Sequence, residues 1–212
     1  MKGNRLENMR IAALASGRGT NLQTLIDQLH RDSTSGIEIS VVISDRGQAY
    51  ALTRAKQAGI PTCVVRLKDF PNRDAFDAEI SRIIDKHEVG LIVLAGFMKL
   101  FQPAFVQKYR NRIINIHPAL LPAFPGAHPV SDTLTYGVKV SGVTVHFVDE
   151  GVDSGPIIAQ ASVPVYDDDD EESLHARIQV EEHRLYLQAI KRYAEGKLEV
   201  VGRKVVVRGD CG

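Results

Sequence analysis

Two cysteines in 212 residues, Cys63 and Cys211, show neither a CxxC pattern nor a Cys/His metal spacing. Neither a disulfide framework nor a zinc site is expected, and a reducing cytosol is the simplest home. Charge of one sign is also missing, since 26 Lys and Arg balance 26 Asp and Glu. Without a positive field there is nothing to draw in DNA or tRNA by counterion release, so any bound anion is small and locally held. No apolar run approaches the roughly 18 residues of a membrane span. The opening MKGNRLENMR has no apolar h-region, so neither secretion nor insertion is expected. What remains is 44% apolar and 25% charged, which excludes disordered and fibrous classes and suits one α/β domain or two small ones.

Short β-branched runs followed by turn residues alternate with helical patterns, which predicts βαβ units and a parallel sheet. The expected strands are Arg10–Ala15, Ile37–Ser44, Pro61–Val65, Gly90–Ala95 and Arg112–Ile116. The expected helices are Asn21–His30, Ala49–Ala58, Arg73–Lys86 and Pro103–Tyr109. From Gly142, GVTVHFVDEGVDSGPIIAQASVPV alternates and reads as antiparallel strands around a Gly-rich turn, making the sheet mixed. Ser173–Glu195 is an amphipathic helix with Leu174, Ile178, Leu185 and Ala189 on one face, and LEVVGRKVVV is a hairpin around Gly202–Arg203.

Three segments carry candidate chemistry. SGRGTNLQ joins the first strand to the first helix, where Gly17, Arg18, Gly19, Thr20 and Asn21 offer backbone N–H groups and a helix start to a phosphate. A tight βα turn explains the same residues equally well. The loop lacks the Gly-Lys-Ser/Thr end of a P-loop, and Leu22 occupies the third-glycine position of a dinucleotide fingerprint. Asp45, after the second strand, stands roughly where a ribose-binding acid would.

RIINIHPALLP places Asn115 and His117 at i and i+2, on one face of a strand that Pro118 ends. Strand C-termini are where open α/β sheets bind ligands. An amide donor beside an imidazole can grip a carbonyl and stabilise the oxyanion of a tetrahedral intermediate. In DEGVDSGP, Asp153 could orient the His117 ring, whereas Asp149 and Glu150 read as turn residues. The acidic DDDDEES precedes the long helix and reads as its solvated N-terminus, so no metal is assigned. His30, His87, His146, His175 and His183 share no ligand spacing and read as structural or exposed, while His128 lies near the site in sequence.

Taken together, ASGRGTNLQ, LAGFMKL, INIHPALLPAFPGAHP and GVTVHFVDEGVDSGPIIAQ resemble the phosphoribosylglycinamide formyltransferase family, in order and over nearly the whole chain. The resemblance implies a single Rossmann-like domain over residues 1–212, with a mixed, mostly parallel sheet flanked by helices on both faces. Residues 9–105 would form a nucleotide-binding half and residues 106–212 a catalytic and folate-binding half. It implies formyl transfer from the co-substrate 10-formyltetrahydrofolate to the amine of glycinamide ribonucleotide in purine biosynthesis, without metal, in the cytoplasm. Partners would be those two small molecules, not nucleic acid or membrane; a homodimer is compatible with the family.

By the same resemblance Asn115, His117 and Asp153 are catalytic, with Asn115 and protonated His117 on the oxyanion. The Gly17–Asn21 loop, Arg177 and Gln179 would take the phosphate and Glu182 the ribose. The folate would meet Leu94, Phe97, Met98, Lys99, Leu100, Phe101, Val148, Asp149 and Asp153, with Arg73 and Lys99 at its acidic tail. Ala119 and Lys99 depart from the wider group, which commonly has Ser and Arg there. Formyltetrahydrofolate deformylase is the nearest rival, sharing the Asn-x-His and Asp motifs. Methionyl-tRNA formyltransferase would need a basic surface, a dehydrogenase would need the third glycine, and a non-catalytic folate or nucleotide sensor would not need the trio.

Overall fold

The computed structural model describes residues 9–209; Cys211 and the N-terminal octapeptide lie outside the described residues. The chain divides into two compact units, Met1–Phe105 and Val106–Gly212.

In the first unit, strands β1 (Met9–Leu14), β2 (Ile37–Ser44), β3 (Thr62–Val64) and β4 (Leu91–Leu94) alternate with helices α1 (Thr20–Leu25), α2 (Tyr50–Gln57) and α3 (Arg73–Lys86). Their order is β3-β2-β1-β4 and the described pairings are parallel. The cause lies in the burial, because Ile11–Leu14 and Leu91–Val93 are all 0% exposed. Continuous apolar strands need cover on both faces, which the crossover helices of βαβ units supply. Past Leu25 the helix continues as one π-type stretch, Ile26–His30, within the single helix expected over Asn21–His30.

Helix α3 has the expected bounds because its signals are local. Asn72 caps it by accepting from the Ala75 N–H at 2.8 Å, Asp74 lies in the first turn and Lys86 in the last, and Phe76, Ile80, Ile83 and Ile84 are buried. The same helix also pins the segment after β4. Arg73 Nη1 donates to the Leu100 carbonyl at 2.8 Å, and Asp77 Oδ2 accepts from the Gln102 N–H at 2.7 Å. Helix α4 (Pro103–Lys108) spans the boundary between the units.

The second unit contains strands β5 (Ile113–His117), β6 (Val140–Phe147), β7 (Ile157–Pro164), β8 (Leu198–Val201) and β9 (Lys204–Val207), with helices α5 (Pro129–Tyr136) and α6 (Glu171–Ala194). The order is β5-β6-β7-β9-β8, antiparallel apart from the short parallel β7–β9 contact, so the expected mixed character is present. Helix α5 was not expected. Its Pro129 start and the left-handed Gly137 stop (φ 81°) are ordinary helix signals, but eight residues with Ser, Asp and Thr show little apolar periodicity.

The acidic run does cap α6. The Ser173 N–H donates to Asp170 Oδ1 at 2.8 Å, and the Asp170 N–H donates back to Ser173 Oγ at 3.0 Å. Leu174, Ile178, Leu185 and Ala189 are buried as the pattern requires, and Glu182, 5% exposed, shares their face. No helix among the described residues is long and apolar enough to cross a membrane, and no group of three or more His, Cys, Asp or Glu among them could hold a metal ion.

Two expected outcomes follow from this packing. A Cβ on Gly155 would stand 1.8 Å from the Phe147 carbonyl oxygen. Gly155→Ala should therefore cost about 2–3 kcal/mol and lower the thermal midpoint by roughly 4–12 °C; calorimetry showing no change would contradict this reading of the turn. Burial also holds His87, His117 and His183 below the ordinary imidazole pKa. Below about pH 6.5 the unfolded chain then binds more protons than the folded one, so stability rises with pH in that window. The Asp77 carboxyl, pushed up by burial, works in the opposite sense. The midpoint should fall as pH drops from about 6.5 to 5, and His183→Gln should flatten the slope; a midpoint that rises on acidification would refute the assignment.

Candidate active site

Strand β5 carries Asn115 and His117 on one face, while Ile114 and Ile116 between and beside them are 0% and 7% exposed. In the antiparallel ladder Asn115 lies opposite His146 and His117 opposite Thr144. After β6 the chain turns back through residues 148–156, and Asp153 adopts a left-handed φ of 49°. Aspartate tolerates that region better than most residues, and such conformations cluster at functional sites.

The turn directs Asp153 between the two β5 side chains. Asn115 Nδ2 lies 3.4 Å from Asp153 Oδ1, and His117 Nδ1 lies 3.4 Å from Asp153 Oδ2. The Gly126 N–H donates to Oδ2 at 2.8 Å, and His146 Nε2 stands 3.6 Å from Oδ1. Burial opposes ionisation of Asp153, but the His146 ring, the Gly126 N–H and the His117 ring together hold its pKa below the usual carboxylate value.

Hydrogen placement follows from which partners can only accept. His117 Nε2 is 2.8 Å from the Phe124 carbonyl, so Nε2 carries the hydrogen. In the neutral ring, Nδ1 is then a bare acceptor facing a carboxylate, a position where an added proton would be welcomed. Burial, the largest influence, nevertheless holds the His117 pKa below its ordinary value, with the Phe124 carbonyl and Asp153 pulling the other way. His146 Nδ1 lies 2.9 Å from the Phe147 carbonyl, so its Nε2 accepts from Asn115 Nδ2 at 3.2 Å. The amide of Asn115 is thereby aimed. The site can present an N–H pair to a developing oxyanion and a carboxylate to a proton, and its 3.4 Å contacts are long enough to be exchanged for substrate.

Sequence reasoning missed part of this cluster. His146, read as structural or exposed, is 2% exposed and contacts both Asn115 and Asp153. The Phe124 carbonyl and Gly126 N–H went unnoticed because backbone groups have no signature in sequence. The exposed His128 precedes α5 without capping it.

In the first unit, Gly19 holds a φ of 71° before α1, and a Cβ there would meet Ala51 Cβ at 2.8 Å, so the tight-turn reading applies in full. Gly17 and Arg18 are exposed, and Thr20 and Asn21 open the helix. Ser16 Oγ accepts from the Met98 N–H at 2.9 Å, tying this turn to the segment after β4. There Leu94 and Phe97 are buried, while Met98 and Leu100 are 56% and 59% exposed. Phe101 stacks between Phe97 and Phe105 at centroid distances of 5.7 and 4.1 Å. Lys99 Nζ lies 3.8 Å from Asp45 Oδ2.

On α6, Arg177 pairs through two nitrogens with Asp169, each at 2.8 Å, donates to the Pro164 carbonyl at 2.8 Å and covers the Tyr166 ring. A phosphate would have to share it with Asp169. Gln179 is half-buried and Glu182 buried. Asp149 Oδ1 accepts from Ser154 Oγ at 2.6 Å and the Gly151 N–H at 3.1 Å, the turn role foreseen for it. The Val148 N–H donates to the Ile113 carbonyl at 2.9 Å.

Residues 9–190 match the Formyl transferase family. The chain is 47% identical over 194 residues to "Phosphoribosylglycinamide formyltransferase" of Mycobacterium tuberculosis, covering 92% of this chain and 89% of that protein. It is 48% identical to "Trifunctional purine biosynthetic protein adenosine-3" of Drosophila pseudoobscura over 91% of this chain, and spans only 14% of that protein's length. Glycinamide ribonucleotide transformylase 1 from Symbiobacterium toebii superposes with a TM-score of 0.92 at 47% identity, covering 95% of this chain and 94% of that one. The fold class, α/β with helices flanking the strands, is the one shared with that structure. The chain belongs to the formyl transferase family and, within it, to the phosphoribosylglycinamide formyltransferases.

Proposed function

We propose that this chain transfers the formyl group of 10-formyltetrahydrofolate to the amine of glycinamide ribonucleotide, giving formylglycinamide ribonucleotide and tetrahydrofolate. The observation that carries this reading is the Asp153 carboxylate held 3.4 Å from both Asn115 Nδ2 and His117 Nδ1. In the reaction the amine nitrogen attacks the formyl carbon and the carbonyl electron pair moves to oxygen. Asn115 Nδ2–H and the His117 ring stabilise that oxyanion; the proton that the attacking amine loses passes through water beside Asp153 to His117 Nδ1, and the Asp153 carboxylate balances the imidazolium so formed. Collapse re-forms the carbonyl and breaks the bond to the folate nitrogen, which leaves with that proton as His117 returns to the neutral ring.

The same reading gives the Gly17–Asn21 turn, Arg177 and Gln179 to the substrate phosphate and Glu182 to the ribose. The apolar segment Leu94–Phe101 would take the pterin, with Val148, Asp149 and Asp153 contributing polar contacts and Arg73 and Lys99 meeting the glutamate. Residues 1–212 would act as one domain in the cytoplasm without metal, as a monomer or homodimer.

Incubating the protein with 10-formyltetrahydrofolate, with and without glycinamide ribonucleotide, should show folate deformylation that depends on the ribonucleotide. Equal rates in its absence would make the protein a deformylase, and stoichiometric binding without turnover would make it a sensor. His117→Ala and Asp153→Asn should each lower kcat by roughly 10²-fold or more. Near-normal turnover in either variant would remove that side chain from the mechanism.

A further inference from the structure

Between β4 and α4 the first unit runs through residues 95–102 without helix or strand, and several backbone groups of this stretch take their partners from side chains elsewhere. Three alternate residues are tied in this way. Ser16 Oγ accepts from the Met98 N–H at 2.9 Å, Arg73 Nη1 donates to the Leu100 carbonyl at 2.8 Å, and Asp77 Oδ2 accepts from the Gln102 N–H at 2.7 Å. Arg73 and Asp77 stand four residues apart in α3, hence on one face, and offer a donor and an acceptor to backbone groups two residues apart.

Of the three ties, Asp77 is the one that packing does not account for. The residue is 5% exposed, and its Oδ1 is buried with no hydrogen-bond partner among the described residues. Burial pushes its pKa up; the Gln102 N–H and the Arg73 guanidinium pull it back, and Asp74 adds to the rise. Lys99, the charged side chain of the facing stretch, lies 3.8 Å from Asp45. An asparagine would accept the same N–H bond without burying a charge, so packing alone favours the amide. What the carboxylate adds is strength, because a bond to an ionised acceptor is about twice as strong as a neutral one.

That strength falls on one residue. Gln102 immediately precedes α4, and its carbonyl accepts from the Phe105 N–H at 3.0 Å. The Phe105 ring stacks on Phe101 at 4.1 Å, and Phe101 stacks on Phe97 at 5.7 Å. The Asp77 bond therefore fixes the end of the stretch that carries this stack and the exposed Met98 and Leu100.

We infer that Asp77 is a positioning residue for the folate co-substrate: its ionised carboxyl, with Arg73 one turn earlier, holds residues 98–102 in the form that receives the pterin. This rests on the folate reading above. Asp77 touches neither substrate in this reading and acts through the Gln102 backbone, so its effect falls on donor binding rather than on the chemical step.

The test measures kcat and the KM of each substrate in the wild type, Asp77→Asn and Asp77→Ala. At neutral pH the KM for 10-formyltetrahydrofolate should rise about threefold in Asp77→Asn and about tenfold in Asp77→Ala, with kcat and the KM for glycinamide ribonucleotide unchanged. As pH falls towards the ordinary carboxylate midpoint of about 4, the wild type loses its ionised acceptor. The ratio of donor KM in Asp77→Asn to that in the wild type should then fall towards one, a change that a merely structural carboxyl would not produce. Asp77→Asn is nearly isosteric, so its readout stands even if Asp77→Ala fails to fold. A donor KM unmoved in Asp77→Asn, or a ratio that stays constant with pH, would overturn the inference and leave the proposed function standing. If the wild type transfers no formyl group, the functional reading fails instead. Calorimetry with 5-formyltetrahydrofolate then decides the role of Asp77: a Kd raised in Asp77→Asn with the same pH trend supports it, whereas an unmoved Kd, or no binding to the wild type, overturns it.

Discussion

A half-buried carboxylate stays ionised where N–H donors and rings able to take up a proton face it, and the second unit is arranged around that demand at Asp153. One oxygen faces the Asn115 amide and the His146 ring, and the other faces His117 and the Gly126 N–H. Remove any partner and the remaining groups no longer agree on where hydrogens sit. Removing Asp153 would leave the His117 Nδ1 facing no counter-charge, and the proton it is positioned to receive would be resisted by burial alone. The reactive character of the ring is therefore a property of the cluster.

The constraint reaches outward through backbone. Asn115 and His146 meet because β5 and β6 pair in one register, and a slip of one residue would turn both away from each other. The register itself is reinforced by Thr144, opposite His117, whose Oγ1 accepts from the Leu121 N–H at 3.0 Å and donates to the Ala119 carbonyl at 2.7 Å. Those bonds lie in the segment that delivers the Phe124 carbonyl and the Gly126 N–H. Gly155, too close to Phe147 to carry a side chain, lets the other end of the Asp153 loop return to the sheet.

The first unit applies the same physics to a different end. Ser16, Arg73 and Asp77 each satisfy a backbone group of residues 98–102, and so hold Met98 and Leu100 out in solvent, where apolar side chains are uncomfortable unless something covers them. Asp45 beside that segment keeps one oxygen buried and unpartnered. Polar groups in such positions are seldom structural conveniences, since an apolar residue of the same size would fold more easily.

Much of this was legible in the chain itself. Period-two spacing put Asn115 and His117 on one face, helix start and stop signals bounded α3, and the acidic run before α6 proved to be its cap, because each depends on neighbours within a few residues. The helix α5 escaped notice since its caps are ordinary but its apolar stripe is weak. His146 escaped for a deeper reason: its side chain matters only opposite Asn115, 31 residues away, and pairing across that distance is a tertiary fact. Sequence determined which chemical groups were available and on which face of their own strand they lay. Folding alone decided which nitrogens carry hydrogen and which acids lose theirs, because those depend on burial and on partners brought together from distant parts of the chain.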